Sequence, residues 1–290
     1  MNKEEKNLNK PIYIYLIIVF AVCYGLGFIE FMTKTGKAYS FLGIIFTFVP
    51  VIAGMITKRI TKQKSKISLS LKVWKNKKAW LFSAFIPSFM VALGSILYFI
   101  VFNKDYSGVF ELGNIIKDSS IIINVQNPIF FALICIVISA VMIPIQLLEL
   151  GEEIGWRGYL LGFQKEKYGE KKAALINGIE WGLSHFPLIY FGFNYSLDNP
   201  GAPWSNMLLM LICCLVLGII FSYIAIKTNN VMYSAIMHGA VNIIGEIPVF
   251  LSFSKISGLL GPNPTGLLAM TFLIILALIL FFRKKPWSEV

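Results

Sequence analysis

Residues 128–163 read PIFFALICIVISAVMIPIQLLELGEEIGWRGYLLGF. The run exceeds the roughly 20 apolar residues that one membrane span needs, and Pro144 predicts a kink within it. Its second half carries Glu149, Glu152, Glu153 and Arg157, yet Tyr159-Leu160-Leu161-Gly162-Phe163 is apolar again before the first interfacial charge, Lys165. A carboxylate inside such a run costs several kcal/mol unless it is paired, so it reads as functional.

The rest of the chain agrees with a membrane class. It has 290 residues, 57% hydrophobic and 14% charged, with mean hydropathy +0.71. A soluble domain carries about 25% charged residues. The net charge of +11 raises nucleic acid as a partner. The basic residues sit instead in short gaps between apolar runs, where cytoplasmic loops carry them, so nucleic acid is set aside. Cys23, Cys135, Cys213 and Cys214 lie inside apolar runs and read as small buried hydrophobes. The apolar run after the polar N-terminus is too long for a signal-peptide core, so it is expected to stay as the first helix.

Eight apolar segments are candidate spans: Ile12–Ile29, Tyr39–Thr57, Trp80–Phe102, Pro128–Phe163, Ala173–Phe193, Trp204–Ile226, Val231–Phe250 and Leu267–Phe282. The expected fold is therefore an all-α polytopic membrane protein, residues 1–290 forming one integral membrane domain. The loop from Lys58 to Lys78 is strongly basic and lacks acidic residues. Lys165–Lys172, Lys227 and Arg283-Lys284-Lys285 fall on the same side, while the loops around Asp105–Asp118, Asp198 and Lys255 are poor in basic residues. Both termini are expected at the cytoplasm, facing an anionic leaflet. Ile67–Trp74 alternates in a way that suits lying flat on lipid.

Three clusters carry chemistry. The first is Glu149, Glu152, Glu153 and Arg157; the second Asn177, Glu180, Trp181, Ser184 and His185; the third His238, Asn242 and Glu246. Glu153 and Arg157 are four apart and pair along one helix face, a spacing that also serves purely structural pairs. Glu152 points about 100° away, toward another neighbour. His185 and His238 are the chain's two histidines, and both lie deep in membrane runs. At about 1.5 Å per residue, Glu152 lies roughly 20 Å, His185 about 18 Å and His238 about 12 Å from the basic boundary, so the clusters share one layer. Glu180 and Glu246 read as supporting neighbours.

Glu152-Glu153-x-x-x-Arg157, Trp181-x-x-x-His185 and His238-x-x-x-Asn242, in that order on successive helices, resemble the type II CAAX prenyl endopeptidase and bacteriocin-processing family. The one departure is Trp181, where the family usually has Phe. The motif core spans about 140–246. The resemblance implies a glutamate-dependent intramembrane endopeptidase whose site is open to the cytosol, in what is expected to be a bacterial cell membrane. Its substrate would be a membrane-associated or lipidated peptide or protein, and no cofactor is expected.

On that resemblance Glu152 is the general base for a water, and burial strengthens such a base. His185 holds the water and passes a proton to the leaving amine, and His238 with Asn242 stabilises the oxyanion. Glu153, Arg157 and Trp181 support them. A zinc site of His185, His238 and a carboxylate is the rival chemistry. A non-proteolytic immunity or regulatory protein and a proton-coupled transporter are the rival functions. The transporter lacks the inverted repeat and broken-helix pair that such folds show.

Overall fold

The computed structural model describes residues 3–33, 38–64, 67–111, 113, 119–254 and 258–289, with backbone alone for 3–7 and 38–44. Lys66, Asp118 and Lys255, which entered the orientation argument, lie outside these residues. The protein is a helical membrane protein: α1 (Lys3–Thr33), α2 (Ala38–Thr61), α3 (Lys77–Val101), α4 (Pro128–Val141), α5 (Ile143–Tyr168), α6 (Glu170–Tyr190), α7 (Trp204–Thr228), α8 (Met232–Phe250) and α9 (Thr271–Phe281). Every apolar segment expected to span is helical, the fourth as the pair α4–α5. Leu8–Thr33, α3 and α7 are long and apolar enough to cross a bilayer, and α4–α5 joins them if the bent pair is one span. One departure from all-α is a short antiparallel hairpin, β1 (Val109–Glu111) with β2 (Ile122–Asn124).

The bend has a local cause. Pro144 lacks a backbone N–H and its ring crowds the preceding turn, so α4 ends at Val141 and the chain turns by 51°. The Gln146 amide then donates to the carbonyls of Ser139 (2.9 Å) and Ala140 (3.1 Å). Those are orphan acceptors of a helix end, here satisfied without water. Beyond the bend, Ile154–Leu160 is π-helical. Such stretches interrupt the α ladder and are frequent at functional sites.

Glycine lets the site-bearing helices approach. A Cβ on Gly218 of α7 would lie 2.7 Å from Gly178 Cα of α6, and one on Gly239 of α8 would lie 2.6 Å from Gln146 Cα of α5. Without a hydrophobic force between helices in lipid, close contact of this kind supplies much of the packing energy. All four cysteines are buried and free.

The two ends of the bundle differ in chemistry. At one end the stretch 67–73 is bonded to 229–233, and 170–171 to 283–288. Ser70 and Asn230 exchange hydrogen bonds of 2.9 and 3.0 Å, and Tyr233 donates to the Val73 carbonyl. Lys171 donates to the Arg283 carbonyl, and Glu170 accepts from the Trp287 and Ser288 backbone. The stretch Ile67–Trp74 is thus strapped to the α7–α8 turn with Ile67 and Val73 inward, while Leu69, Leu71 and Trp74 stay exposed among lysines. At the opposite end Asp105 ties Ser252 and Ser254 to the start of the hairpin loop, and Tyr195 donates to the Thr265 carbonyl. Lys104 is the one cation there among the described residues.

Candidate active site

The three motif helices converge. Glu153 is fully buried, and its Oε1 accepts from Arg157 Nη1 (2.9 Å), as the four-residue spacing requires, and from His238 Nδ1 (3.0 Å). A buried pair of this kind is expensive to break, because removing one partner strands the other's charge. The Arg157 guanidinium lies 4.2 Å from the centre of the Trp181 ring and 5.3 Å from that of Phe221. Both contacts place the cation over an aromatic face.

Trp181 links this pair to Glu152. Its indole N–H donates to Glu152 Oε2 at 2.7 Å. Its ring stands edge-on to both imidazoles, with centroids 5.6 Å from His185 and 5.3 Å from His238. The indole thus stands between Arg157 and Glu152 and touches both. A Phe at this position would keep the wall but not the hydrogen bond.

His185 Nδ1 lies 2.8 Å from the Trp181 carbonyl. A carbonyl only accepts, so Nδ1 carries the proton and Nε2 is left as the acceptor nitrogen of the neutral ring. His238 Nδ1 donates to Glu153 and lies 3.6 Å from Glu149 Oε2. Asn242, expected beside His238 as a donor to the oxyanion, gives its amide to Glu149 Oε1 at 3.0 Å.

Glu149 is the residue to which sequence reasoning gave no role. At 149, 152 and 153 the three carboxylates are three and four residues apart, which puts them on neighbouring positions of one helix side. That spacing was the available signal. Asn177 and Glu180, grouped with His185 by sequence, belong elsewhere. Asn177 donates to the Trp156 carbonyl and to Gln164 Oε1 (both 3.1 Å), and Gln164 donates to Glu180 Oε2 at 2.6 Å.

A cavity of about 430 Å³ lies against this cluster. Glu149, Glu152, His185, His238, Asn242 and Glu246 supply its charged and titratable wall and a neighbouring amide. Phe46, Leu188, Met210, Leu217 and Val241 supply apolar surface, and Asn194 and Asn263–Thr265 its far end. The mixture suits a peptide backbone flanked by apolar side chains. Among the described residues, no three His, Cys, Asp or Glu side chains gather as a metal-ligand set.

Comparisons with known proteins fall on the same region. Residues 125–244 match the family model described as type II CAAX prenyl endopeptidase Rce1-like. A Methanococcus maripaludis protein named CAAX prenyl protease 2 is 30% identical over 141 residues, 48% of this chain and 48% of its own. The chain thus matches about half the length of that curated relative. The motif order, the convergent geometry and both matches meet in one segment, and it is this segment of the chain that is similar to the Rce1-like, type II CAAX prenyl endopeptidases.

Proposed function

We propose that this protein is an intramembrane endopeptidase that hydrolyses a peptide bond of a membrane-associated or lipidated polypeptide with a water activated by Glu152. The observation that carries the reading is the Glu152 carboxylate on the cavity wall, fixed by Trp181 beside both histidines. The family match and the relative named as a prenyl protease support the reaction class.

In the proposed reaction Glu152 takes a proton from water as the oxygen attacks the scissile carbonyl. His185 Nε2 takes the second proton of that water, from the hydroxyl of the tetrahedral intermediate, and delivers it to the leaving nitrogen as the C–N bond breaks; Glu152 then gives its proton to the freed amine, which departs as an ammonium beside the product carboxylate. His238, when it carries a proton on each nitrogen, keeps Nδ1–H on Glu153 and presents Nε2–H to the oxyanion. Loss of one such donor is typically worth about 3–4 kcal/mol. Asn242 is assigned a change of role: it holds Glu149, which flanks His238. Glu153, Arg157 and Trp181 hold this array in register.

Eight membrane crossings, with both termini and the basic end at an anionic cytoplasmic leaflet, complete the proposal. The exposed Leu69, Leu71 and Trp74 among lysines suit an interface at that end.

The test is turnover of a quenched lipidated peptide by the protein in proteoliposomes. Glu152→Gln is expected to lower kcat by about 10³-fold, within the range of general acid–base catalysis. Unaltered cleavage by that variant would sink the mechanism. Activity should survive chelation; cleavage that needs stoichiometric zinc would replace the glutamate scheme by a metal one.

A further inference from the structure

The basic end and the cavity lie toward opposite faces of the bundle. By sequence, twenty of the 26 lysines and arginines fall in segments that reach the basic end, and five reach the other. The cavity wall climbs α8 away from the basic end, from His238 through Val241 and Asn242 to Gly245 and Glu246. Its last lining residues, Phe193–Asn194 and Asn263–Thr265, belong to the segments that follow α6 and precede α9, at the opposite end. Asn242 and Glu246 are exposed along that path. Toward the basic end the floor is closed: Arg157, Leu161, Phe163, Phe221 and Met237 are all fully buried.

Two expectations from the sequence therefore collide. Basic loops belong at the cytoplasm, and the family resemblance implied a site open to the cytosol. With this geometry both cannot hold. The charge asymmetry is the physical determinant of insertion, acting through short loops near the helix ends, and here it is large.

We infer that the cavity is entered from the non-cytoplasmic side, and that it takes a neutral or basic polypeptide segment presented there or in the outer half of the bilayer. The cleavage part rests on the peptidase reading above. The charge preference comes from the wall itself: Glu149, Glu152 and Glu246 line it, and no lysine or arginine does among the described residues. In a low-dielectric cleft such a wall repels an anionic segment far more strongly than it would in water. Substrates of this kind are exported peptides and the outward-facing ends of membrane proteins.

Single cysteines report the sides without reference to activity. Asp198→Cys stands at the cavity end and Lys75→Cys at the basic end, both at exposed positions. The parent chain serves as blank, since its four cysteines are buried. With a bulky membrane-impermeant maleimide, Asp198→Cys should label in intact cells and Lys75→Cys only after permeabilisation. Leu197→Cys and Lys72→Cys form a second pair should either variant misfold. The reverse pattern, or labelling of both ends in intact cells, overturns the inference. In sealed vesicles of determined orientation, an impermeant peptide with basic flanks should be cleaved only when the Asp198 side faces it, and an acidic-flanked analogue at least tenfold more slowly. Cleavage from the Lys75 side, or equal rates for the two peptides, counts against the proposal. Failure of the peptidase reading looks different: the labelling pattern persists, and neither orientation cleaves.

Discussion

Two carboxylates are tied to neighbouring positions of helix α6 in opposite circumstances: Glu152 of α5 is bonded to Trp181, and Glu180 belongs to α6 itself. Glu152 accepts from an indole N–H on a cavity wall, beside two imidazoles. Glu180 accepts from Gln164, which accepts in turn from Asn177, which also donates to a backbone carbonyl. That second chain is made of amides, which bond but do not exchange protons near neutrality. Both are acids inside a helical membrane protein, and depth alone marks both as functional. The partners separate them: titratable neighbours and free volume at one, a chain of amides at the other.

The largest way to break the first cluster is to remove its cation. Arg157→Met strands the fully buried Glu153 carboxylate with His238 as its remaining donor. Truncating one member of such a pair typically costs about 3–5 kcal/mol, and this should appear as loss of resistance to SDS unfolding in mixed micelles. Arg157→Lys sharpens the point. It restores the charge but not the guanidinium over the Trp181 ring, so stability should recover more than turnover does. If turnover recovers fully, the route from Arg157 through the indole to Glu152 is not what positions the base.

How much of this was legible follows from the same contrast. The helices were readable because apolar runs interrupted by charge are a one-dimensional signal, and the convergence of Glu152, His185 and His238 was readable from rise per residue. Asn242 was assigned to the oxyanion because it sits one turn from His238, but helical spacing does not say what stands opposite, and Glu149 stands there. The strapping of Ile67–Trp74 to Asn230 and the placement of Asn263–Thr265 over the cavity are contacts between distant segments, with no local pattern to announce them. The hairpin at Val109–Asn124 has strands of three residues, too short for an alternation to register. The end toward which the cavity extends depends on those loops, so it stayed invisible until they were placed.

Asn242 gives a smaller effect with a sharper reading. Asn242→Ala removes the amide that Glu149 accepts, a hydrogen bond to a charged group worth about 1.5–3 kcal/mol. If Asn242 works by holding Glu149, kcat should fall about tenfold, and adding Glu149→Gln should cost little more, because the two changes act on one contact. If Asn242 serves the oxyanion directly, the single change should cost at least 10²-fold in kcat and the double change should multiply the losses. Steady-state kcat and KM for the four members of the cycle distinguish these cases.

The smallest effect tests the second network. In Glu180→Gln the new side-chain oxygen can still accept from Gln164, so one neutral bond replaces a charge-assisted one. The buried charge is removed together with its desolvation cost, and those terms oppose each other. The expected change in unfolding free energy is within about 1 kcal/mol, and turnover should stay within about twofold of the parent. A collapse of turnover with the fold intact would mean that Glu180 exchanges protons with the cavity. The amide chain would then be part of a relay, and partner chemistry would no longer separate the two acids.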